Sequence, residues 1–266
     1  LLMKKYLVIG SPIEHSLSPE LHNYWIKKNN INAVYEKRKL TEDEIKNFIL
    51  EIRKKKIEDA NVTVAFKKKG IPFLDKLSLE ASSTQSVNTI YLDGDKVVGH
   101  NTDIVGFEKS ILDKKYDVQG KRALILGAGG VVSSIIFVLK KLNTSEIILS
   151  NRTKNNIEYL KEMFENLQVV DWGEFPNFDI IINATSLGLN KDDNIKIDFS
   201  KLGKNKFFYD VIYNPKQTNF LKKAKEMGNT TENGKMMFIY QAQKSFEKWH
   251  NILPKIDDEV LDLLDD

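Results

Sequence analysis

The 266-residue sequence contains no cysteine and only four histidines. Without cysteine the chain forms no disulfide and has no thiolate for nucleophilic or redox chemistry. The histidines lack the H-x-x-x-H spacing typical of zinc sites, so no metal site is expected. No run approaches the ~20 apolar residues of a membrane-spanning helix. We therefore expect a cytoplasmic protein that binds no metal and no membrane.

Neither sign of charge dominates the chain. Forty Lys and Arg residues against 37 Asp and Glu residues leave a formal net charge of +3. The basic runs, residues 54–56 and 67–69, are short and interrupt a sequence of mixed sign. A nucleic-acid-binding face is not needed to explain this balance, so no nucleic-acid partner is expected. The length suits two domains with full apolar cores.

An apolar run that leads into a glycine turn is the first feature with chemical content. Residues 123–126 precede Gly127-Ala128-Gly129-Gly130, and a helix-like segment follows from 131 to 141. Gly127 allows a sharp turn, Gly129 lets the backbone approach a pyrophosphate, and the helix N-terminus offers N–H groups to it. This pattern is typical of dinucleotide binding. On its own it is also compatible with an ordinary strand-to-helix turn, because Val132 replaces the third small residue of the fingerprint.

The end of the next predicted strand indicates which dinucleotide is bound. Residues 146–150 lead into Asn151-Arg152-Thr153, where an NAD site would usually carry an acidic side chain for the ribose 2′-hydroxyl. An arginine there favours a 2′-phosphate. Arginine is scarce in this chain, with four against 36 lysines, so a planar guanidinium at this position is suggestive. The pattern therefore predicts NADP.

The order of predicted elements favours two α/β domains. In the first half we expect a strand at 6–10, a helix capped by Ser18, a helix from the Thr41/Glu44 capping box to 54, a strand at 59–65, a hairpin at 87–99 and a helix at 103–114. In the second half, strands near 122–126, 146–150, 167–170, 179–183 and 207–211 alternate with helices. Final helices at 235–250 and 257–264 are expected to pack back on the first domain.

Several polar clusters lie at predicted strand ends in the N-terminal half. Ligands of open α/β sheets bind beyond the carboxyl ends of the strands, so such groups can meet at one site. Their hydroxyls, amides, ammonium and carboxylate suit a small polyhydroxylated acid. The clusters are residues 15–19, 61–63 with Lys67, 87–89 and 99–103.

Taken together, these segments resemble the shikimate dehydrogenase family, which reduces 3-dehydroshikimate to shikimate with NADPH. The matching segments follow the family's order from Gly10 to Trp249, and they include residues 183–188, 210–215 with Thr218, and 234–246. The resemblance implies an NADP-dependent oxidoreductase of aromatic amino acid biosynthesis that acts on a CH–OH group. It also implies a substrate-binding domain at 1–103, completed by 235–266, a Rossmann-like NADP-binding domain at 104–234, and a monomer or homodimer.

The resemblance further assigns roles to individual residues. Lys67 and Asp103 are the catalytic pair that handles the proton. Substrate contacts are assigned to Ser16, Ser18, Thr63, Asn88, Tyr213 and Gln241. Cofactor contacts are assigned to Gly127, Ala128, Gly129, Gly130, Asn151, Arg152, Thr153, Ala184, Thr185, Ser186, Ile212 and Gly234.

Plainer interpretations of the same residues stay open at this point. Lys67 could be a solvated member of its lysine run, and Asp103 could serve only the first turn of its helix, where negative charge is favoured. Ser18 could be a helix cap alone. Two other functions also stay open, namely a quinate/shikimate paralogue that uses NAD and a non-catalytic nucleotide-binding relative.

The chain departs from the family's usual pattern at five positions. A glycine and a proline usually stand where this chain has Asp59 and Ala65, a small residue where it has Val132, a glycine where it has Ile104, and a second basic residue where it has Asn156. The last departure makes NADP preference depend on Arg152, with Lys154 as its neighbour. None of the five removes a group that the chemistry requires.

Overall fold

The computed structural model describes residues 2–265, which form two compact units. The first unit contains the described residues up to Gly106 together with those from Ile239 onward. The second contains Phe107 to Phe238. Each unit has its own sheet with helices packed on it, which confirms the α/β class expected from the sequence.

The first unit has a mixed sheet. Within residues 2–265 it has six strands in the order β2-β1-β3-β5-β6-β4. Its strands are β1 (Lys4–Gly10), β2 (Ala33–Lys39), β3 (Ala60–Val62), β4 (Lys76–Leu77), β5 (Thr89–Asp93) and β6 (Lys96–His100). Its helices are α1 (Ser18–Lys28), α2 (Ile45–Arg53), α3 (Leu79–Thr84), the start of α4 (Asp103–Asp113), most of α8 (Lys235–His250) and α9 (Asp258–Asp262). Short 3-10 helices lie at Glu42–Glu44 and Ile71–Phe73.

Strand register brings the polar clusters of this unit to one edge of the sheet. Strands β1 and β3 run parallel with Ile9 opposite Val62, so Gly10 and Thr63 leave the sheet side by side. Strands β5 and β6 are antiparallel with Thr89 opposite His100, which places the entry to β5 beside the exit from β6. The approach at Gly10 is close, because a Cβ there would lie 2.5 Å from Cγ2 of Thr63.

The C-terminal segment packs on the first helix of the chain. On α8, Phe246 is fully buried, and its ring centroid lies 5.6 Å from that of Trp25 on α1. Trp25 donates its indole N–H to the Lys255 carbonyl at 2.9 Å, and the Tyr24 hydroxyl donates to Asp257 at 2.8 Å. Aromatic burial of this kind stabilises a terminal helix that has little amphipathic character of its own.

The second unit has a parallel sheet. Within the described residues its six strands run in the order β12-β11-β10-β7-β8-β9, and every pair of neighbours is parallel. Its strands are β7 (Arg122–Leu126), β8 (Glu146–Ser150), β9 (Leu167–Val170), β10 (Ile180–Asn183), β11 (Phe207–Asp210) and β12 (Thr230–Glu232). Its helices are α5 (Val132–Lys141), α6 (Lys154–Met163) and α7 (Asn219–Glu226), with a 3-10 helix at Phe199–Lys201 and most of α4. Helical crossovers cover both faces of such a sheet, which explains why its central strands are continuous apolar runs.

The structure differs from the sequence expectations at several elements. The N-cap residue of α1 is Leu17. Ser18, the expected cap, is already the first residue of the helix. The strand expected at 59–65 is limited to Ala60–Val62, because the chain turns at Thr63. Strand β2 was not predicted, since it is an edge strand with a single buried residue, Tyr35, and its lysines give no apolar alternation. The short strands β4 and β12 were also missed.

Candidate active site

Lys67 and Asp103 form a buried ion pair in the first unit. Nζ of Lys67 lies 2.5 Å from Oδ2 of Asp103, and only 15% and 7% of the two side chains are exposed. Asp103 is the first residue of α4, where the helix dipole favours a carboxylate. Its backbone N–H donates to the side-chain oxygen of Asn101 at 2.9 Å. Lys69, by contrast, is exposed and pairs with Glu42 on the surface, so its environment differs from that of Lys67.

Asn88 joins this pair to the C-terminal helix. Its side-chain Nδ2 donates to Oδ1 of Asp103 at 3.1 Å, to the hydroxyl of Thr102 at 2.8 Å and to Oε1 of Gln241 on α8 at 3.3 Å. Four of the predicted site residues, Lys67, Asp103, Asn88 and Gln241, therefore lie in one hydrogen-bonded cluster. The cluster offers an ammonium, a carboxylate and two amides within a few ångströms of one another.

The two predicted serines lie next to each other at the start of α1. Oγ of Ser16 accepts the backbone N–H of Ser18 at 3.3 Å, so Ser16 has a local structural role that the sequence did not suggest. Ser18 is buried and, contrary to expectation, does not cap the helix. Thr63 follows β3, and its N–H donates to the Ile9 carbonyl at 2.9 Å.

The sixth predicted substrate contact belongs to the other unit. Tyr213 follows β11, and its ring stacks on Phe238 with centroids 4.2 Å apart. It therefore lies on the same unit as the predicted cofactor residues.

The glycine turn has the geometry that its sequence predicts. Gly127 follows β7 with φ +112°, a conformation that favours glycine, and a Cβ there would lie 2.8 Å from the Ala184 carbonyl oxygen. A Cβ on Gly129 would meet nothing within 4 Å, so this part of the turn faces open space. The residue before α5, Val131, offers no side-chain cap to the helix N-terminus. The positive end of the helix dipole is thus directed at the turn.

The turn after β8 presents a basic side chain. Nδ2 of Asn151 donates to the Thr153 carbonyl at 2.8 Å and holds the turn closed. Arg152 is exposed and makes no ion pair within residues 2–265. Lys154, the first residue of α6, is 85% exposed, with Nζ 3.9 Å from Oδ1 of Asp171. This edge of the second sheet can therefore take an anion.

The remaining predicted cofactor residues surround a buried polar network. The backbone N–H and hydroxyl of Thr185 both donate to Oδ1 of Asn183, whose Nδ2 donates to Asp210. Asp210 also accepts the Ile212 N–H and the Thr218 hydroxyl. Burial raises the pKa of Asp210 to about 6, against the opposing effect of these donors. The network fixes the loops that carry residues 184–186 and Ile212.

Gly234 lies beside Ile212 for a steric reason. Its N–H donates to the Ile212 carbonyl at 3.0 Å, and a Cβ on it would lie 2.1 Å from the Val211 carbonyl oxygen. No residue larger than glycine fits there without moving the backbone.

Sequence reasoning placed the buried polar residues that support these loops in polar clusters or matching segments, but gave none of them a role of its own. Asn183 and Asp210 end apolar strands of the second unit, and Asn61, Thr89 and Thr102 lie under the cluster of the first. The available signal was a polar side chain within or directly after a run of buried strand residues, because such a group must find a hydrogen-bond partner.

Two further findings concern the described part of the chain only. Across residues 2–265, no three His, Asp or Glu side chains are placed to hold a metal ion. In the same range, none of the helices has the length and apolar character needed to cross a membrane.

Comparison with known proteins is consistent along the whole chain. Residues 8–90 match the family model for the shikimate dehydrogenase substrate binding domain, and residues 109–217 match that for shikimate / quinate 5-dehydrogenase. The chain is 58% identical to a shikimate dehydrogenase (NADP(+)) of Pelagibacter ubique, covering 99% of this chain and 100% of that protein.

Solved structures give the same result. The crystal structure of the shikimate dehydrogenase from Aquifex aeolicus matches with a TM-score of 0.88 and 33% identity, over 98% of this chain and 97% of that one. A shikimate 5-dehydrogenase from Thermus thermophilus, in complex with NADP(H) and shikimate, matches with a TM-score of 0.88 and 27% identity, over 98% of both chains. The chain belongs to the shikimate dehydrogenase family.

Proposed function

We propose that this chain catalyses the reversible NADPH-dependent reduction of 3-dehydroshikimate to shikimate, with Lys67 and Asp103 handling the proton. The observation that carries the proposal is the buried contact of 2.5 Å between Nζ of Lys67 and Oδ2 of Asp103. Lys69, in the same lysine run, pairs instead with Glu42 at the surface. The family's relatives are named for this activity and for NADP.

The first unit supplies the acid–base chemistry. Reducing a ketone requires a proton at the carbonyl oxygen, from a donor within hydrogen-bond reach. The Lys67 ammonium stabilises negative charge that develops on that oxygen and donates the proton. Asp103 keeps the ammonium in place, and solvent returns the proton afterwards. Because both side chains are mostly buried, their charges act with little screening by water.

Recognition of the substrate is assigned to the polar groups around this pair. We assign the carboxylate of shikimate to the hydroxyls of Ser16 and Ser18. The ring hydroxyls are assigned to Thr63, Asn88 and Gln241, with Tyr213 as a further contact. Residues 1–103 with 235–266 form the substrate domain in this proposal.

The NADP cofactor is assigned to residues 104–234. When bound, its reduced nicotinamide supplies the hydride. The open space at Gly129 leaves room for a pyrophosphate against the backbone, and the N-terminus of α5 favours its charge. The turn at Asn151, Arg152 and Thr153 takes the 2′-phosphate. Ala184, Thr185, Ser186, Ile212 and Gly234 line the remainder of the cofactor.

One spectrophotometric assay tests the proposal. The full chain is incubated at alkaline pH with shikimate or quinate and with NADP+ or NAD+, and formation of the reduced cofactor is followed. We expect the highest kcat/KM with shikimate and NADP+. A clear preference for NAD+ or quinate would identify a quinate/shikimate paralogue. Absence of turnover with all four combinations would favour a non-catalytic nucleotide-binding relative.

A further inference from the structure

A second set of buried polar residues lies directly behind Asn88. Thr89, at the start of β5, and Ser245, one turn after Gln241 on α8, are both fully buried. Their hydroxyl oxygens are 2.9 Å apart. Neither residue belongs to the proposed substrate-binding or catalytic set, yet burying two hydroxyls is unfavourable unless they are hydrogen-bonded. Their partners therefore show what the pair does.

The orientation of the Asn88 amide depends on two donors. Oδ1 of Asn88 accepts the backbone N–H of Thr102 at 2.8 Å and the hydroxyl of Thr89 at 3.0 Å. A backbone N–H can only donate, so the oxygen of the amide must face Thr102. The amide nitrogen then donates to Asp103, to Gln241 and to the hydroxyl of Thr102. Thr89 thus supplies one of the two hydrogen bonds that keep the donor side of Asn88 on the active-site groups.

Ser245 supports Thr89 from the C-terminal helix. Thr89 directs its single hydroxyl proton at Asn88, and its hydroxyl oxygen lies 2.9 Å from that of Ser245. Nδ2 of Asn61 donates to both hydroxyl oxygens, at 3.2 Å and 3.1 Å. The Ser245 hydroxyl donates to the backbone carbonyl of Gln241 at 3.1 Å, and its oxygen lies 3.2 Å from the Thr102 hydroxyl. The hydroxyl pair therefore connects β5, which begins directly after Asn88, to α8, which carries Gln241.

We propose that Thr89, supported by Ser245, is a positioning residue that orients the Asn88 amide toward Asp103 and Gln241 and thereby determines affinity for shikimate. This inference rests on the proposed function, because it takes Asn88 and Gln241 as substrate contacts. Thr89 itself is fully buried and acts only through its neighbour. Within residues 2–265, none of the predicted cofactor residues hydrogen-bonds to this hydroxyl, whose partners are Asn61, Asn88, Thr102 and Ser245.

The test compares variants that differ by one hydroxyl. Thr89→Val removes the hydroxyl with little change in shape, Thr89→Ser restores it, and Ser245→Ala removes the supporting hydroxyl. Ser110→Ala is the matched control, because Ser110 is equally buried but hydrogen-bonds to Phe107 and Tyr209 in the second unit. For each variant we would measure the thermal midpoint, the shikimate Kd by calorimetry without cofactor, and kcat and both KM values.

The expected pattern follows from the loss of one neutral hydrogen bond. In Thr89→Val the Kd and KM for shikimate rise about three- to tenfold, whereas the KM for NADP+ stays within twofold. Thr89→Ser stays within about twofold of wild type, Ser245→Ala weakens shikimate binding by about two- to threefold, and Ser110→Ala has no effect on it. A purely structural defect would instead reduce the active fraction, lowering the apparent kcat and leaving both KM values unchanged.

Three results would overturn the inference. They are a shikimate Kd for Thr89→Val within twofold of wild type, an equal defect in Thr89→Ser, or a parallel change in both KM values. If Thr89→Val does not fold, the proposal is tested with Ser245→Ala instead. An unchanged shikimate Kd in Ser245→Ala would refute it. Wild-type protein that neither binds nor oxidises shikimate would overturn the proposed function as well, which distinguishes the two failures.

Discussion

Nζ of Lys67 contacts Oδ2 of Asp103, while Nδ2 of Asn88 donates to the other oxygen of the same carboxylate. The acid therefore has a charged partner on one oxygen and an amide on the other. Such a carboxylate is held in one orientation, and it holds the ammonium in turn. This arrangement distinguishes Lys67 from Lys69, which pairs with Glu42 on the surface.

Removing the Lys67 ammonium should abolish most of the turnover. We expect Lys67→Ala to lower kcat by about 100-fold or more, the range typical of a lost general acid, with a small effect on the shikimate Kd. Steady-state kinetics and calorimetry would measure the two quantities. Lys69→Ala is the matched control, because that lysine lies on the surface against Glu42. A Lys67→Ala enzyme with kcat within a few fold of wild type would contradict the assignment.

Arg152 should determine the preference for the phosphorylated cofactor. We expect Arg152→Ala to weaken NADP+ binding by about tenfold, the loss typical of one hydrogen bond to a charged group, without affecting NAD+. Titration of both dinucleotides by calorimetry would measure this difference. Arg122→Ala is the control, because Arg122 begins β7 at the opposite end of the sheet and pairs with Asp179. An equal loss for both dinucleotides would exclude a 2′-phosphate contact.

The buried imidazole of His22 should contribute a loss of stability in mild acid. His22 is 1% exposed and stacks on Tyr35 with ring centroids 4.2 Å apart. Burial, with a smaller effect of His250, lowers its pKa to about 3. Below about pH 6.5 the unfolded chain takes up a proton that the folded chain does not, so the free energy of unfolding falls as pH falls.

Urea unfolding between pH 7 and pH 5 would measure this effect. His22 should contribute a slope of about 1.4 kcal/mol per pH unit below pH 6, and His22→Leu should remove that contribution. The same substitution at the exposed His15 serves as the control. An identical pH slope in wild type and His22→Leu would show that the imidazole is not buried in the neutral form.

Ala65 has a backbone conformation that explains one departure from the family pattern. Its φ is +74°, in the left-handed region, which proline cannot adopt because its ring holds φ near −65°. We expect Ala65→Gly to raise the free energy of unfolding by about 0.5–1 kcal/mol and to preserve activity. Ala65→Pro should lower both stability and kcat, since Lys67 lies two residues on. Urea unfolding and steady-state kinetics of the two variants would measure the changes in stability and kcat. The same two substitutions at Ala33 on β2 serve as the control. A stabilised, fully active Ala65→Pro variant would contradict the observed φ.

The environment of the Asp59 carboxyl group disfavours its charged form. Burial, assisted by the negative charge of Glu58, raises its pKa to about 7, while the Leu92 N–H donates to Oδ1 at 2.9 Å. Because the folded pKa lies above the unfolded value, the contribution of Asp59 to stability is lost as pH rises from about 4 through 7, opposite in sign to the contribution of His22. Asp59→Asn keeps the acceptor and removes the charge, so it should stabilise the protein by about 1–2 kcal/mol at pH 8 and very little at pH 4. Urea unfolding at the two pH values measures the difference, and a variant that is no more stable at pH 8 than wild type would refute it.

The central strands of the second unit and its glycine turn could be predicted from the sequence alone. Strands β7 and β8 lie where they were expected, because their continuous apolar runs are buried on both faces of a parallel sheet. The φ of Gly127 and the close approach of Ala184 are the backbone geometry that its glycines indicate. The Thr41/Glu44 capping box could also be predicted from its local sequence, and it forms as expected.

Only the tertiary structure shows which residues that are far apart in the sequence lie close together in space. Residues 67, 88, 103 and 241 were individually ambiguous, since each has an ordinary structural explanation in its own segment. Strand register and the return of α8 bring them within hydrogen-bond distance, and burial then makes their charges and amide orientations matter. The support from Thr89 and Ser245 could not be predicted for the same reason, because a hydroxyl's partner depends on which elements pack together and not on its neighbours in sequence.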